Sequence, residues 1–361
     1  MISSYELKLM MEVLLMLSDD ERIYFSRQIV LDGFGEDGQL KIKQARVLVA
    51  GIGGLGTTSC LLLAELGVGY LRVVDRDIIE HTNLHRTPLY TIADLDRAKV
   101  EVSAERLKQI NPSMIVDTHA CHIGEANIDE LLEEIDIVID GLDNFETRRI
   151  INQSCIRKGI PFVFCGVSAR SGNITVFNLT ESSPCLSCLY HGIDDDDLES
   201  CDITGIHPAL LPIATGIQVY EAIKIIFNRK SSLDSSLLFI DLNNLNFDRI
   251  SLRKNPNCPV CSKPSDYVEF APETEFQPLE LCGGTSVMIV PQIRIDLDMI
   301  DIKSKVMKKF KIIKSGTHAI SFLLTEDINV TIFKGGNALI RGGTSKKEAM
   351  EVWESISKII L

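Results

Sequence analysis

The stretch RVLVAGIGGLGTTS, residues 46–59, joins an apolar run to a glycine-rich turn, and TSCLLLAELG (58–67) continues it with helical patterning. Gly51, Gly53 and Gly56 keep the G-x-G-x-x-G spacing. That spacing lets a backbone turn sharply after a strand and brings phosphate oxygens to a helix N-terminus. Asp75 closes the next apolar run, YLRVVD (70–75), where an acidic side chain can hold ribose hydroxyls. The loop predicts a Rossmann-like strand–turn–helix unit. It leaves open whether a nicotinamide dinucleotide or another nucleotide occupies it.

The flanking segments extend this unit into an α/β domain. LSDDERIYFSRQI (17–29), with Ser18 before an acidic turn, predicts an N-terminal helix. Helices are expected over DLDRAKVEVSAERLKQI (94–110), IDELLEEI (128–135) and TRRIINQSCIRKG (147–159). Strands are expected at MIVDTHAC (114–121), at DIVIDGL (136–142) and twice within PFVFCGVSARSGNITVFN (161–178). This alternation predicts an α/β, mainly parallel sheet with helices on both faces. LPIATGIQVYEAIKIIF (211–227) reads as a buried helix with Ala214, Ile217, Tyr220 and Ile223 among its apolar positions, and SLLFIDLNNLNFDRISL (236–252) returns to strands.

The character changes after Cys261. FAPETEFQPLE (270–280) reads as a Pro/Glu-rich connection. SVMIVP (286–291), AISFLLT (319–325), NVTIFKG (329–335) and NALIRGG (337–343) are strand-like. KKEAMEVWESISKII (346–360) is an amphipathic helix with Met350, Trp353 and Ile356 on its inner face. The expected organisation is an N-terminal extension (1–17), a nucleotide-binding domain with a metal site (18–263), a linker (264–280) and a small C-terminal α+β domain (281–361).

Composition narrows the functional classes. The chain has 361 residues and a net charge of −13, which argues against nonspecific nucleic-acid binding because a phosphate backbone needs a Lys/Arg surface. No apolar run is long enough to cross a bilayer. The apolar start, MISSYELKLMMEVLLML, carries Glu6, Lys8 and Glu12 and lacks a small-residue cleavage site, so a cytoplasmic protein is expected. DDDDLE (194–199) reads as a hydrated loop or an acidic partner-contact surface. Of ten cysteines, four fall into two C-x-x-C pairs, Cys185/Cys188 in PCLSCL and Cys258/Cys261 in NCPVC. Four thiolates suit a closed tetrahedral zinc site that staples distant segments, with an iron–sulfur cluster the rival metal reading.

Beyond the glycine loop, Arg27 in FSRQI, Arg86 in TNLHR and Lys99 in DRAKV supply three cations that can meet at the carboxyl edge of a parallel sheet. Asp143, in DGLDNFETR after an apolar strand, is placed to hold magnesium or to cap the following helix. Such a set suits a polyphosphate better than hydride transfer.

The segments 17–56, VVDRDIIEHTNLHR (73–86) and DGLDNFETRRIINQSC (140–155) together resemble the MoeB/ThiF adenylyltransferases, relatives of ubiquitin-activating enzymes. PCLSCL, Cys201-x-x-x-Gly205 and CPVC extend the resemblance, which covers about Leu17 to Lys263. It implies ATP- and Mg2+-dependent adenylation of the C-terminal carboxylate of a small ubiquitin-like sulfur-carrier protein ending in Gly-Gly. It further implies that Gly53 and Gly54 lie against the nucleotide, Asp75 binds the ribose and Asp77 supports that loop. Asn83, Arg86 and Lys99 would contact or position the phosphates, and Asp143 would act through magnesium. Arg27 would reach the site of the other subunit in a homodimer, and Cys185, Cys188, Cys258 and Cys261 would hold one structural zinc per chain. Cys201 matches a position where some relatives form a covalent link to the carrier and others do not, and His207 stands six residues on. Two rival functions are adenylation of a ribosomally made precursor peptide and a nucleotide-regulated partner-binding scaffold without catalysis. Three positions depart from the family pattern: Thr87 stands where Gln is frequent, Asp96 where Gly is common, and HPALLP (207–212) where a glycine-containing stretch is usual. The C-terminal part resembles small tails on some bacterial members, which implies a part in partner recognition.

Overall fold

A computed structural model describes residues 16–190, 204–262, 275–280, 286–343 and 345–360. Most of the N-terminal extension, the 264–274 part of the linker, DDDDLE and Cys201 lie outside the described residues.

The described chain begins with α1 (Asp19–Tyr24) and α2 (Ser26–Ile29). Ser18 Oγ accepts from the Glu21 amide at 3.1 Å while Glu21 Oε2 accepts from the Ser18 amide at 2.7 Å. This reciprocal cap is worth about 1 kcal/mol. There follow α3 (Gly35–Gln44), β1 (Arg46–Ala50), α4 (Gly54–Leu66), β2 (Tyr70–Val74), α5 (Lys99–Ile110), β3 (Ile115–His119), α6 (Ile128–Leu131) and β4 (Ile137–Asp140). The domain closes with α7 (Phe145–Lys158), β5 (Phe162–Ser168), β6 (Ser171–Phe177), α8 (Leu186–Leu189), α9 (Leu210–Ile226), β7 (Ser236–Asp241) and β8 (Asn246–Ser251).

These strands form one sheet in the order β3-β2-β1-β4-β5-β6-β7-β8. The first five are mutually parallel and the last three antiparallel. Alternate side chains of β1 enter different cores. Val47 and Val49 pack with α4, α5 and α9, while Leu48 and Ala50 pack with α6 and α7. The chain reverses its direction of travel across the sheet between β1 and β4, which opens a crevice at their carboxyl ends.

Two predicted helices are shorter than their patterns suggested. The 94–110 segment is helical only from Lys99, because Asp96 takes a left-handed conformation (φ +61°) that breaks the helical run. The 128–135 helix ends at Leu131, and Glu134 is likewise left-handed (φ +56°). Tyr220 of α9 is 64% exposed, so that helix is buried along Leu211, Ala214, Gln218 and Ala222 rather than all round.

The C-terminal unit comprises β9 (Phe276–Glu280), β10 (Ser286–Pro291), α10 (Met299–Met307), β11 (Lys311–Ser315), β12 (Ala319–Leu323), β13 (Asn329–Phe333), β14 (Ala338–Arg341) and α11 (Lys346–Ile360). Its sheet runs β11-β12-β13-β14-β10-β9, antiparallel throughout. Strand β9 lies inside the stretch read as linker, and α10 and β11 were not anticipated. One sheet face (Val287, Ile320, Phe322, Ile340) packs on Ile302, Val306, Trp353 and Ile356 of α10 and α11. The opposite face contributes Met288, Val290, Phe333 and Leu339 to the core of the first domain. Thr118 bonds His318 (2.7 Å), and Arg294 pairs with Glu130 (2.9 Å) across the same boundary. The small domain is therefore docked along an apolar face as well as tethered. Among the described residues no helix is long and apolar enough to cross a membrane.

Candidate functional site

The crevice at the carboxyl ends of β1, β2 and β4 gathers part of the set singled out in the sequence: the glycine loop, Asp75, Asp77, Arg86, Lys99 and Asp143. Gly51 has φ +82°, and a side chain there would strike the Gly141 carbonyl 2.8 Å away. A Cβ on Gly53 would meet nothing within 4 Å, so this turn faces open space. One on Gly54 would lie 2.8 Å from Leu211 and 3.5 Å from the Arg86 side chain. The absent side chain at Gly54 thus lets Arg86 approach the N-terminus of α4. The first-turn amides of a helix have no intrahelical acceptor, so this end is a ready anion site.

Asp75 organises the loop from the next strand. Its Oδ2 accepts from the Ile52 amide (2.6 Å) and its Oδ1 from the Asp77 amide (2.7 Å). Lys99 Nζ donates to Asp77 Oδ2 at 2.9 Å. Burial works against the Lys99 charge, but the Asp75, Asp77 and Asp143 carboxylates outweigh it and hold the ammonium above its ordinary range. Burial likewise raises Asp75, with Lys99 pulling the other way. For Asp77 burial is outweighed by Lys99 and Arg76, and its carboxyl is held below its usual range. Lys99 is thus a fixed cation beside the glycine loop.

The segment between Asp77 and Lys99 is a closed loop. Asp96 N donates to Ile79 O (3.0 Å), Ile79 N to Arg97 O (2.9 Å) and Lys99 N to Asp77 O (3.1 Å), forming a two-stranded neck. Within the loop, Asn83 Oδ1 accepts from the Glu80 amide (3.0 Å), and Arg86 donates to Thr82 O (2.5 Å). Thr87 is buried and donates to Asn83 O at 3.0 Å, so the residue standing where relatives often have Gln tightens the turn. The Asp96 position favours glycine because of its positive φ, and Asp is among the few side chains that tolerate it.

Asp143 is exposed at the crevice mouth, and the residue that caps α7 is its neighbour. Asn144 Oδ1 accepts from the Thr147 amide at 2.9 Å. Asp143 is therefore released from the capping role and, among the described residues, its side chain bonds Asn144 Nδ2 alone, at 3.3 Å. Its turn is anchored from below by a buried pair, Arg148 Nε to Asp140 Oδ2 at 2.8 Å, with Arg148 Nη2 also donating to Leu142 O (2.6 Å) and Cys165 O (3.0 Å). Sequence reasoning passed over Arg148, although an aspartate ending the apolar run DIVID requires a buried partner. It also passed over Tyr90, whose hydroxyl donates to Ile52 O (2.9 Å) and so ties the glycine loop to the helix bearing Lys99. Gln218 was missed too; its amide donates to Asp140 O (2.8 Å) and Val163 O (2.9 Å) at the floor of the crevice.

Arg27 does not join this cluster. It is exposed on α2 and makes no hydrogen bond or ion pair among the described residues. His207 is exposed as well, its Nδ1 accepting from the Ala209 amide at 3.2 Å.

The two cysteine pairs come together away from the crevice. The four Sγ atoms lie within 4.8 Å of one another. Cys185–Cys188, Cys185–Cys258 and Cys188–Cys261 are separated by 3.8, 3.7 and 3.5 Å. A tetrahedral zinc with bonds of about 2.3 Å needs sulfur–sulfur edges of about 3.8 Å. The cluster can thus chelate a metal, and these separations are far too long for disulfides. Ile156 of α7 packs against it, and the Leu186 amide donates to Asn152 Oδ1 (2.9 Å), so the cluster pins the segment after β8 to α7.

Comparison with known proteins gives concordant matches. The model of the ThiF family matches residues 25–260. The adenylyltransferase and sulfurtransferase MOCS3 of Anopheles gambiae is 37% identical over 262 residues, which is 70% of this chain and 59% of that protein. The sulfur carrier protein ThiS adenylyltransferase of Bacillus subtilis is 31% identical over 334 residues, 91% of this chain and 97% of its own length. Among solved structures, Escherichia coli MccB superposes with a TM-score of 0.58 over 72% of this chain and 78% of its own, at 21% identity, and so shares the fold. The match with the mosquito protein therefore spans little more than half of that protein, whereas the match with the Bacillus protein also takes in most of the C-terminal domain.

Proposed function

This chain belongs to the ThiF/MoeB family of ATP-dependent adenylyltransferases, related to ubiquitin-activating enzymes, and from that membership we propose that it adenylates the C-terminal carboxylate of a small ubiquitin-like sulfur carrier ending in Gly-Gly. The observation that carries this reading is the convergence of Lys99, Asp75, Asp77 and Arg86 on the open glycine turn, with the exposed Asp143 at its mouth. Likeness to the Bacillus protein over nearly its whole length supports the choice of a carrier as substrate.

In this mechanism a carrier carboxylate oxygen attacks the α-phosphorus of ATP. The bond from that phosphorus to the oxygen bridging to the β-phosphate breaks, releasing pyrophosphate and leaving the acyl-adenylate. The carboxylate is already the nucleophile, so no strong general base is needed; the barrier is anion against anion. The Gly53–Gly54 turn and the α4 N-terminus receive the phosphates, Asp75 faces the ribose with Asp77 supporting it, and Asn83, Arg86 and Lys99 place and neutralise the polyphosphate. Mg2+, held beside Asp143, would supply positive charge where the leaving pyrophosphate develops negative charge. Arg27, solvent-exposed in one chain, serves the site of the partner in a cytoplasmic homodimer. Cys185, Cys188, Cys258 and Cys261 hold one structural zinc.

Purified protein supplied with ATP, magnesium and candidate carriers tests the assignment through ATP–pyrophosphate exchange and the mass of the adenylate. Exchange that requires a carrier with an intact Gly-Gly terminus is expected. Exchange driven instead by a peptide with another terminus assigns a peptide-adenylating enzyme, and nucleotide binding without exchange assigns a scaffold. A second test concerns the shared site. Arg27→Ala and Asp143→Ala proteins are each expected to be inactive alone, and on mixing to recover about a quarter of wild-type activity, since half the dimers then carry one complete site. Failure to recover with proven subunit exchange removes Arg27 from the partner's site.

A further inference from the structure

We infer that Arg341 of the C-terminal domain is a positioning residue for the nucleotide site, clasping the neck of the loop that carries Asn83 and Arg86 and leads into Lys99. This inference rests on the adenylation reading of the crevice but is testable without it.

Arg341 ends β14 with strand partners on both sides, Ser286 of β10 and Asn329 of β13, so it is presented from a rigid element. Its guanidinium crosses the domain boundary. One terminal nitrogen lies 3.2 Å from Asp96 Oδ1 and the other 3.7 Å from Glu80 Oε1, with the arginine side chain only 20% exposed. Nε is buried without a hydrogen-bond partner among the described residues, so the two terminal nitrogens carry the contacts. Glu80 and Asp96 are the two sides of the loop's entrance, beside the Ile79–Arg97 ladder. One planar, bifunctional cation thus closes the loop from outside.

The pairing also accounts for a residue that is otherwise out of place. Asp96 sits at φ +61°, where glycine carries no steric penalty. A glycine there cannot bond Arg341; an aspartate can. Keeping a carboxylate in a left-handed position makes sense if its contact with the second domain matters. Docking of the C-terminal domain and the shape of the phosphate-contacting loop become one structural unit. A lysine at 341, with a single ammonium, cannot span both carboxylates as a guanidinium does.

Hydrogen exchange on the full chain, followed by mass spectrometry, tests the clasp directly. Arg341→Ala is expected to raise exchange in residues 80–98 about tenfold while β12, β13 and α11 keep wild-type protection. Asp96→Gly should loosen the same segment, and the double variant should be no looser than either single one. Exchange rising equally across 286–360 shows that Arg341 merely docks the domain, and unchanged exchange in 80–98 shows that it does nothing there; either overturns the proposal. In the same proteins, KM for ATP should rise about tenfold in Arg341→Ala, with KM for the carrier unchanged and partial rescue by Arg341→Lys. If wild-type protein binds no ATP, the nucleotide reading fails and the clasp stands or falls on the exchange data alone.

Discussion

Asp143→Ala will abolish carrier-dependent ATP–pyrophosphate exchange, a fall of about a thousandfold, while the thermal midpoint stays within about 2 °C of wild type. The two halves of this expectation come from the same local geometry. Asp143 is exposed beyond the carboxyl end of β4 and, among the described residues, caps no helix and bonds only its neighbour Asn144. Removing it costs the fold almost nothing, but it takes away the carboxylate through which magnesium is proposed to act. Two comparison variants sharpen the result. Asn144→Ala removes the α7 cap and is expected to cost about 1 kcal/mol of stability. Lys99→Ala is expected to lower both activity and stability, because it strips the cation from the Asp75 and Asp77 carboxylates. An Asp143→Ala protein that exchanges at a third of the wild-type rate would remove this residue from the chemistry.

Cys258→Ser is expected to release the metal and lower the thermal midpoint by about 10 °C, leaving ATP binding in place. Wild-type protein should carry about one zinc per chain by metal analysis, as a closed four-thiolate site implies. Four sulfurs within 4.8 Å of one another, packed against Ile156 and Val260, repel one another as thiolates unless a cation neutralises them. A metal bound there would remove that repulsion and fasten the segment following β8 to α7. The cluster lies apart from the glycine loop, so losing it should weaken the scaffold before the nucleotide contacts. Folded protein prepared without chelators and free of zinc, with an unaltered melting profile, refutes the staple.

Legibility differed from feature to feature. The strand–turn–helix at Arg46–Leu66 could be read because each residue there obeys a local rule: β-branched residues in the strand, glycines in the turn, a helical run behind them. The paired cysteines could be read because C-x-x-C spacing already brings two sulfurs together within one turn. The end of the 94–110 helix nearest the loop was misplaced, since nothing local in DLDRAKV announces that Asp96 turns left-handed; that turn closes a neck with Ile79, and its carboxylate meets Arg341, 245 residues away. Strand β9 was taken for linker because Phe276–Glu280 carries Gln277 and Pro278 near its centre and, among the described residues, pairs with β10 alone. Arg148, Tyr90 and Gln218 are ordinary in sequence, and acquire meaning only as the buried partners of Asp140, Ile52 O and Val163 O.

The amino-acid sequence alone thus specified the α/β core, the glycine turn, the order of the acidic and basic residues and the two thiol pairs, because these depend on neighbours within a few positions. Tertiary structure decided which of those residues meet. Lys99 came to Asp77, Asp143 was freed by Asn144, and four sulfurs gathered within 4.8 Å of one another, while Arg27 stayed outside its own chain's crevice. It also decided that the C-terminal domain is locked to the loop at Asp96. Such contacts join residues far apart in the chain, and only burial of the apolar faces between them sets their distance.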